Sequence, residues 1–215
     1  MSPIGRLASV RGWRRASSAA GASSAAGPAQ LLLVWHSRTG LAQRMADSME
    51  AGAIATAHEM ELPLHVEKVR AADASVADLL RADGYLFCAP ENLASASGEM
   101  LEFFHRTYYH MFAPGDTRSD GGGDGARGEE ASLLLGRPYA LAIAAGSDGS
   151  GAARQLERIA LGWRLRPVAP TLINVGNAEQ TRSEILRPDK ACGADAAARC
   201  AELGGLVAAT ALLAR

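Results

Sequence analysis

Five consecutive apolar residues, Leu31-Leu32-Leu33-Val34-Trp35, run straight into the polar turn His36-Ser37-Arg38-Thr39-Gly40, and then into apolar residues at helical spacing, Ala42, Met45, Ala46, Met49 and Ala53. A short, unbroken apolar run suits a strand buried on both faces, which is the strand of a parallel sheet. A helix with one apolar stripe packs back onto such a strand. The polar turn is therefore left at the carboxyl end of a buried strand, at the start of a helix.

The unit recurs along the chain. Leu64 to Val69 alternates and predicts a second strand, and Asp73 or Ser75 caps a short helix from Val76 to Ala82. Gly84 to Cys88 predicts a third strand, ended by Pro90; Met100, Phe103, Phe104, Thr107, Tyr108 and Met111 mark a helix with Ser97 as its cap and Glu99 near its positive end. Residues 114–131, with three consecutive glycines, hold almost nothing for a core and read as a flexible insertion. Tyr139 to Ala145 is the fourth strand, and Leu156, Ile159, Ala160 and Trp163 belong to the next helix. Pro167 to Val175 is a fifth, Pro-interrupted strand, and Ala191 to Leu213 the last helix. Alternating strands and helices imply an α/β domain, a mostly parallel sheet with helices on both faces.

Residues 1–30 stand apart. They carry Arg6, Arg11, Arg14 and Arg15 and no acid, so the formal charge of −1 becomes 18 basic against 23 acidic, or −5, for residues 31–215. Such a segment is a disordered extension or a targeting segment; in the second case the location is an organelle matrix, otherwise the cytoplasm. The remaining domain has no basic face for nucleic acid. No apolar run approaches the ~18 residues of a membrane span, so no membrane partner is expected. Cys88, Cys192 and Cys200 form no CxxC pair, which fits a reducing compartment and no metal.

Open parallel sheets bind ligands beyond the carboxyl ends of their strands, where strand order reverses. Three polar loops leave strand ends here: His36–Gly40, Ala89–Ser97 and Gly146–Gly151. The first combines hydroxyls on Ser37 and Thr39, a cation on Arg38 and a glycine with a following helix N-terminus, whose free N–H groups favour an anion. It lacks the lysine of a P-loop and the glycines of a dinucleotide fingerprint, and suits one terminal phosphomonoester. A polar turn with a helix cap is the plainer alternative.

Val34-Trp35-His36-Ser37-Arg38-Thr39-Gly40 resembles the first-strand and phosphate-loop signature of flavodoxin-like FMN proteins, closest to the branch of NAD(P)H-dependent FMN reductases and quinone reductases. Ala89-Pro90-Glu91-Asn92-Leu93-Ala94-Ser95-Ala96-Ser97-Gly98-Glu99-Met100 resembles that branch's second flavin loop. Gly136-Arg137-Pro138 and Ala145-Gly146-Ser147-Asp148-Gly149 resemble the third. The resemblance implies a five-stranded parallel sheet of order 2-1-3-4-5. It also implies FMN held by Ser37, Arg38, Thr39, Gly40, Leu41, Ala42, Pro90, Glu91, Asn92, Leu93, Ala94, Gly146, Ser147, Asp148 and Gly149. The implied activity takes hydride from NAD(P)H and reduces a quinone, a flavin or a similar small-molecule acceptor. A flavodoxin-type electron carrier or non-catalytic FMN module is the alternative, and a homo-oligomer stays open. Two departures stand out: Leu41-Ala42 replaces a polar pair, removing one hydroxyl from the phosphate, and no aromatic in the second loop can stack on the flavin, leaving its face to aliphatic groups, a partner subunit or solvent.

Of the remaining candidates, His36 reads as a satisfied strand-end residue, Glu91 as a solvated carboxylate, Tyr108 as core and Cys88 as a small buried hydrophobe. Cys192 and Cys200 share one face of the last helix. Asp148 is the acid placed to tune a flavin.

Overall fold

The computed structural model describes residues 27–113, 132–176, 179 and 181–215. Most of the N-terminal extension and the whole insertion at 114–131 lie outside these.

Strand β1 (Ala29–Trp35) starts two residues before the boundary read from sequence, with Ala29 already buried. It pairs in parallel with β2 (Leu64–Arg70) on one side and β3 (Gly84–Asn92) on the other. On its far side β3 pairs in parallel with β5 (Pro138–Ala145). The opposite edge of β5 is taken by two short pieces, β6 (Arg166–Pro167) and β7 (Leu172–Val175). These are one interrupted fifth strand, broken around Pro170, so the main sheet has the expected order 2-1-3-4-5.

Alternate residues of β1 feed two cores. Leu31 and Leu33 face α1 (Leu41–Glu59) and α6 (Ala194–Leu213), with Met45, Met49 and Val207. Leu32 and Val34 face the other side, with Phe87, Phe103, Phe104 and Trp163, under α3 (Gly98–Thr107) and α4 (Ser150–Gly162). On that side the short helix α2 (Val76–Arg81) is closed by a reciprocal capping box between Ser75 and Asp78, which selects Ser75 over Asp73 as the cap. At its other end the Arg137 guanidinium donates to the carbonyls of Leu79, Leu80 and Ala82 and to the Tyr85 hydroxyl. A cation thus meets the negative end of α2. Burial pushes the Tyr85 phenol up to about 12, with Arg137 opposing.

Several elements depart from the sequence reading. β3 does not end at Pro90 but continues to Asn92 and turns back as β4 (Ser95–Ala96), an antiparallel hairpin. Pro90 is tolerated because β1 has already ended opposite Cys88; on that side its carbonyl still accepts from the Ser97 N–H at 3.1 Å, and no ladder donor is called for. α3 stops at Thr107 and tightens into a 3₁₀ turn, Tyr108–Met111. There Tyr108 is half-buried, stacked on Trp163 at 6.0 Å between ring centroids. A short helix α5 (Arg182–Leu186), capped by Thr181, was not foreseen. α6 starts at Ala194, so Cys192 precedes the helix and shares no face of it with Cys200. α6 also corrects the expectation about apolar runs: with a mean hydropathy of 1.4 it is, among the described residues, the one helix long and apolar enough to cross a membrane. In this fold its apolar face lies on α1 and the sheet.

Candidate functional site

The carboxyl ends of β1, β3 and β5 surround one cavity of about 430 Å³. It is lined by Ser37, Arg38, Thr39, Leu41 and Ala42 after β1, by Pro90, Glu91, Asn92 and Leu93 at the end of β3, and by Ala144, Ala145 and Gly146 at the end of β5. Its remaining wall, Ile185, Leu186 and Lys190, comes from α5 and the segment before α6. A broader groove of about 700 Å³ runs along Ala94, Arg154 and Arg158, away from the loop after β1.

The loop after β1 is built to leave a helix end open. Gly40 is the N-cap of α1 with φ 88°, a left-handed conformation that glycine adopts without strain. No side chain caps α1 and no acid lies in its first turn. The first intrahelical bond runs from the Arg44 N–H to the Gly40 carbonyl, so the N–H groups of Leu41, Ala42 and Gln43 have no partner within the helix. The Ser37 hydroxyl oxygen accepts from the Gly40 N–H at 3.0 Å, which holds the turn and leaves the hydroxyl proton to donate. Gly40 itself does not line the cavity. A Cβ there would sit 3.2 Å from the Asp189 Cα, so the glycine admits a neighbouring segment as well as setting the turn.

α4 is arranged the other way. Its N-cap, Gly149, also has a left-handed φ of 75°, but its N–H donates to Glu91 Oε1 at 3.0 Å. The Ser150 N–H and hydroxyl both donate to Asp148. Two carboxylates of the chain therefore occupy the positive end of α4, and Ser147, Asp148 and Gly149 lie outside the cavity lining. Glu91 is thereby a cap joining the second loop to the third and not a solvated loop carboxylate. Asp148 serves Ser150 and does not face the cavity.

The hairpin tip is Leu93-Ala94, both at positive φ (53° and 59°). A two-residue turn of this type favours Asn-Gly, and leucine and alanine there store about 1–2 kcal/mol each. α4 holds the hairpin in place: Gln155 Oε1 accepts from the Ala96 N–H and the Ser95 hydroxyl, and Gly151 lets the Ala94 carbonyl approach. Leu93 is fully exposed at the mouth of the cavity, whereas Ala94 faces the neighbouring groove. Among the described residues no aromatic lines the cavity; its apolar surface is Leu41, Leu93, Ile185 and Leu186 with small alanines.

Beside the loop, His36 Nε2 lies 3.4 Å from Glu99 Oε2, while His36 Nδ1, Ser97 Oγ and Glu99 Oε1 are buried without hydrogen-bond partners. Ser97 stands at the N-cap of α3 but its side chain makes no capping bond, and His36 is not the satisfied residue its position suggested. Burial lowers the pKa of His36 below 6.5; Glu99 opposes this, and Arg70 and Arg38 add to it. The unfolded chain then binds this proton more readily than the folded one. Stability contributed by neutral His36 is complete above pH 6.5 and is lost as pH falls below it toward the depressed value. In urea titrations from pH 7 to pH 5, His36→Asn should lose less stability than the wild type; equal losses would remove His36 from the acid response.

The thiols of Cys88, Cys192 and Cys200 are all raised, chiefly by burial, Cys200 to about 12. They are packing groups, poorly disposed to ionise. Among the described residues no cluster of His, Cys, Asp and Glu could hold a metal.

The cavity residues missed by the sequence reading are Ala144, Ala145, Ile185, Leu186 and Lys190. The two alanines were signalled by the end of their strand; nothing local pointed to the other three.

At the level of sequence, no family model and no curated protein matches the chain. Solved structures do match. A flavodoxin from the domain Archaea superposes with a TM-score of 0.59 at 12% identity, covering 85% of this chain and 98% of that one. An oxidoreductase from Corynebacterium diphtheriae gives 0.59 at 15% identity, covering 87% and 98%. The Flv1 flavodiiron core from Synechocystis sp. PCC6803 gives 0.58 at 14%, covering 87% of this chain and 37% of that one. With a 2-1-3-4-5 parallel sheet between two helical layers and an open helix end beyond its first strand, the chain has the flavodoxin-like fold.

Proposed function

We propose that the cavity holds FMN with its phosphate at the N-terminus of α1, and that the protein is an oxidoreductase drawing electrons from NAD(P)H for a quinone, a free flavin or a similar small acceptor. The observation that carries this reading is the contrast between two helix ends. The end of α4 is filled by Glu91 and Asp148, while that of α1 has no side-chain cap, no acid in its first turn, and hydroxyl donors and Arg38 beside it. An unneutralised helix end in a concave site is what an anionic ligand requires.

The chain's residues fit the group. Ser37 and Thr39 would donate hydroxyls to the phosphate, with Arg38 and the N–H groups of Leu41 and Ala42. Leu41, Leu93, Ile185 and Leu186 offer the apolar surface that a flavin ring needs, and Pro90, Asn92 and Gly146 its rim. Bound FMN supplies the two-electron redox chemistry; the protein supplies position, an apolar wall and access. Access favours an enzyme over a carrier. A nicotinamide ring must come within about 3–3.5 Å of the flavin, and among the described residues no aromatic side chain lines the cavity to cover it.

Anaerobic addition of NADH or NADPH to FMN-loaded protein tests this. The flavin absorbance should bleach, and a benzoquinone should restore it over repeated cycles. No bleaching by either nucleotide, with ready reduction by dithionite, would favour the electron-carrier reading.

A further inference from the structure

We propose that the groove beside the hairpin tip seats the electron donor, and that this donor is NADPH, with Arg154 on its pyrophosphate and Arg158 on its 2′-phosphate. This rests on the reading of the cavity as an FMN site and extends it to a surface outside that cavity. The two hollows share the hairpin tip as a wall: Leu93 lines the cavity, and Ala94 the groove of about 700 Å³. From Gly151, where the Ala94 carbonyl makes its close approach, the groove follows α4 as far as Ile159, about 12 Å of helix. At Ile159 it meets a second hollow, of about 340 Å³, whose wall includes Tyr108 and Tyr109. Tyr109 is 82% exposed, with its ring edge to face with Tyr108 at 5.3 Å between centroids.

The charge of the groove runs against that of the domain. Residues 31–215 hold 18 basic against 23 acidic residues, yet among the described residues the groove is lined by two arginines and no acid. Arg154 and Arg158 are both exposed, stand one turn apart on the same face of α4, and make no ion pair with a described residue. The acids nearest them in the chain are engaged elsewhere, Asp148 with Ser150 and Glu157 with the Thr171 hydroxyl. Like charges at this spacing repel each other, and an anion between them relieves the repulsion. A guanidinium fork matches a phosphate with two parallel hydrogen bonds. The order of groups along the surface is also that of NADPH. A nicotinamide at the cavity mouth by Leu93 is followed by a pyrophosphate at Arg154, a 2′-phosphate at Arg158 and an adenine on the tyrosine pair, whose rings offer apolar faces. An acidic protein surface would account for the two cations but not for the aromatic hollow beyond them.

The test uses the FMN-loaded full chain and two variants, Arg154→Gln and Arg158→Gln, with near-UV circular dichroism to confirm the fold. Binding of NADP⁺ and NAD⁺, which carry no hydride to transfer, is measured by isothermal titration calorimetry at low ionic strength. The wild type should bind NADP⁺ about tenfold more tightly than NAD⁺, the worth of one charge-assisted contact. Arg158→Gln should erase that preference by weakening NADP⁺ alone, whereas Arg154→Gln should weaken both nucleotides and keep it. Added 2′,5′-ADP, which has the phosphates of the adenosine half and no nicotinamide, should displace NADP⁺ from the wild type. FMN affinity should stay within about twofold in both variants, since neither arginine lines the cavity. NADP⁺ binding unchanged in both variants would overturn the proposal and leave the arginines to an acidic protein partner. A wild type that binds NADP⁺ no more tightly than NAD⁺ would also overturn it. Either result with FMN still retained removes the donor site alone; a wild type that fails to retain FMN removes the reading of the cavity itself.

Discussion

Gly204→Val should cost about 3 kcal/mol of unfolding free energy or more, a large part of the 5–15 kcal/mol typical of a domain. α1 and α6 meet through glycines. A Cβ at Gly204 would lie 1.9 Å from the Met49 carbonyl oxygen, and one at Gly52 would lie 1.9 Å from the Ala201 carbonyl oxygen. Both obstacles are backbone, so relief requires the helices to part, which opens the core around Met45, Met49 and Val207. The same movement would shift the N-terminus of α1 and hence the cavity. Gly98→Ala is the control: a Cβ there meets nothing within 4 Å, and the position is helical. It should be neutral or stabilise by up to about 1 kcal/mol. Urea unfolding of the two variants would decide the matter; a Gly204→Val protein as stable as Gly98→Ala would mean that the helices do not approach so closely.

The second large effect concerns ligand choice. The protein should bind FMN at least about 100-fold more tightly than riboflavin, because a phosphate at this helix end gains two or more charge-assisted bonds, each worth ~1.5–3 kcal/mol. FMN should also be retained over FAD, whose pyrophosphate exceeds a loop shaped for one terminal group. Replacing Ser37 and Thr39 together by alanine should cost at least about tenfold in FMN affinity. Thr39→Ala alone is the cleaner probe of ligand contact, since Ser37 also accepts the Gly40 N–H and its loss loosens the turn. Equal retention of riboflavin and FMN by the wild type would return the loop to a simple turn.

The amino-acid sequence by itself determined the order of strands and helices, the two-sided burial of the sheet and the polar loop before α1. These are local matters: unbroken apolar runs, helical spacing and turn residues act within a few positions of one another. It also placed the interruption in the fifth strand, because proline removes a ladder donor wherever it falls. Only the tertiary structure decided how each loop is used. In sequence Glu91 read as a solvated carboxylate and Asp148 as an acid placed to tune a flavin, but folding sets both at the α4 N-terminus, where they close one helix end and leave that of α1 as the open one. Leu93-Ala94 became a strained hairpin tip because Gln155 and Gly151 of α4 pin it, which no local preference of leucine or alanine foretells. Ile185, Leu186 and Lys190 joined the cavity for the same reason. They follow no recognisable motif, and the Lys190 N–H, the Thr39 carbonyl and the missing side chain of Gly40 bring them to the loop. Periodicity and turn chemistry are carried by neighbours along the chain, whereas the partner of a buried charge or a helix end is whatever the fold brings beside it.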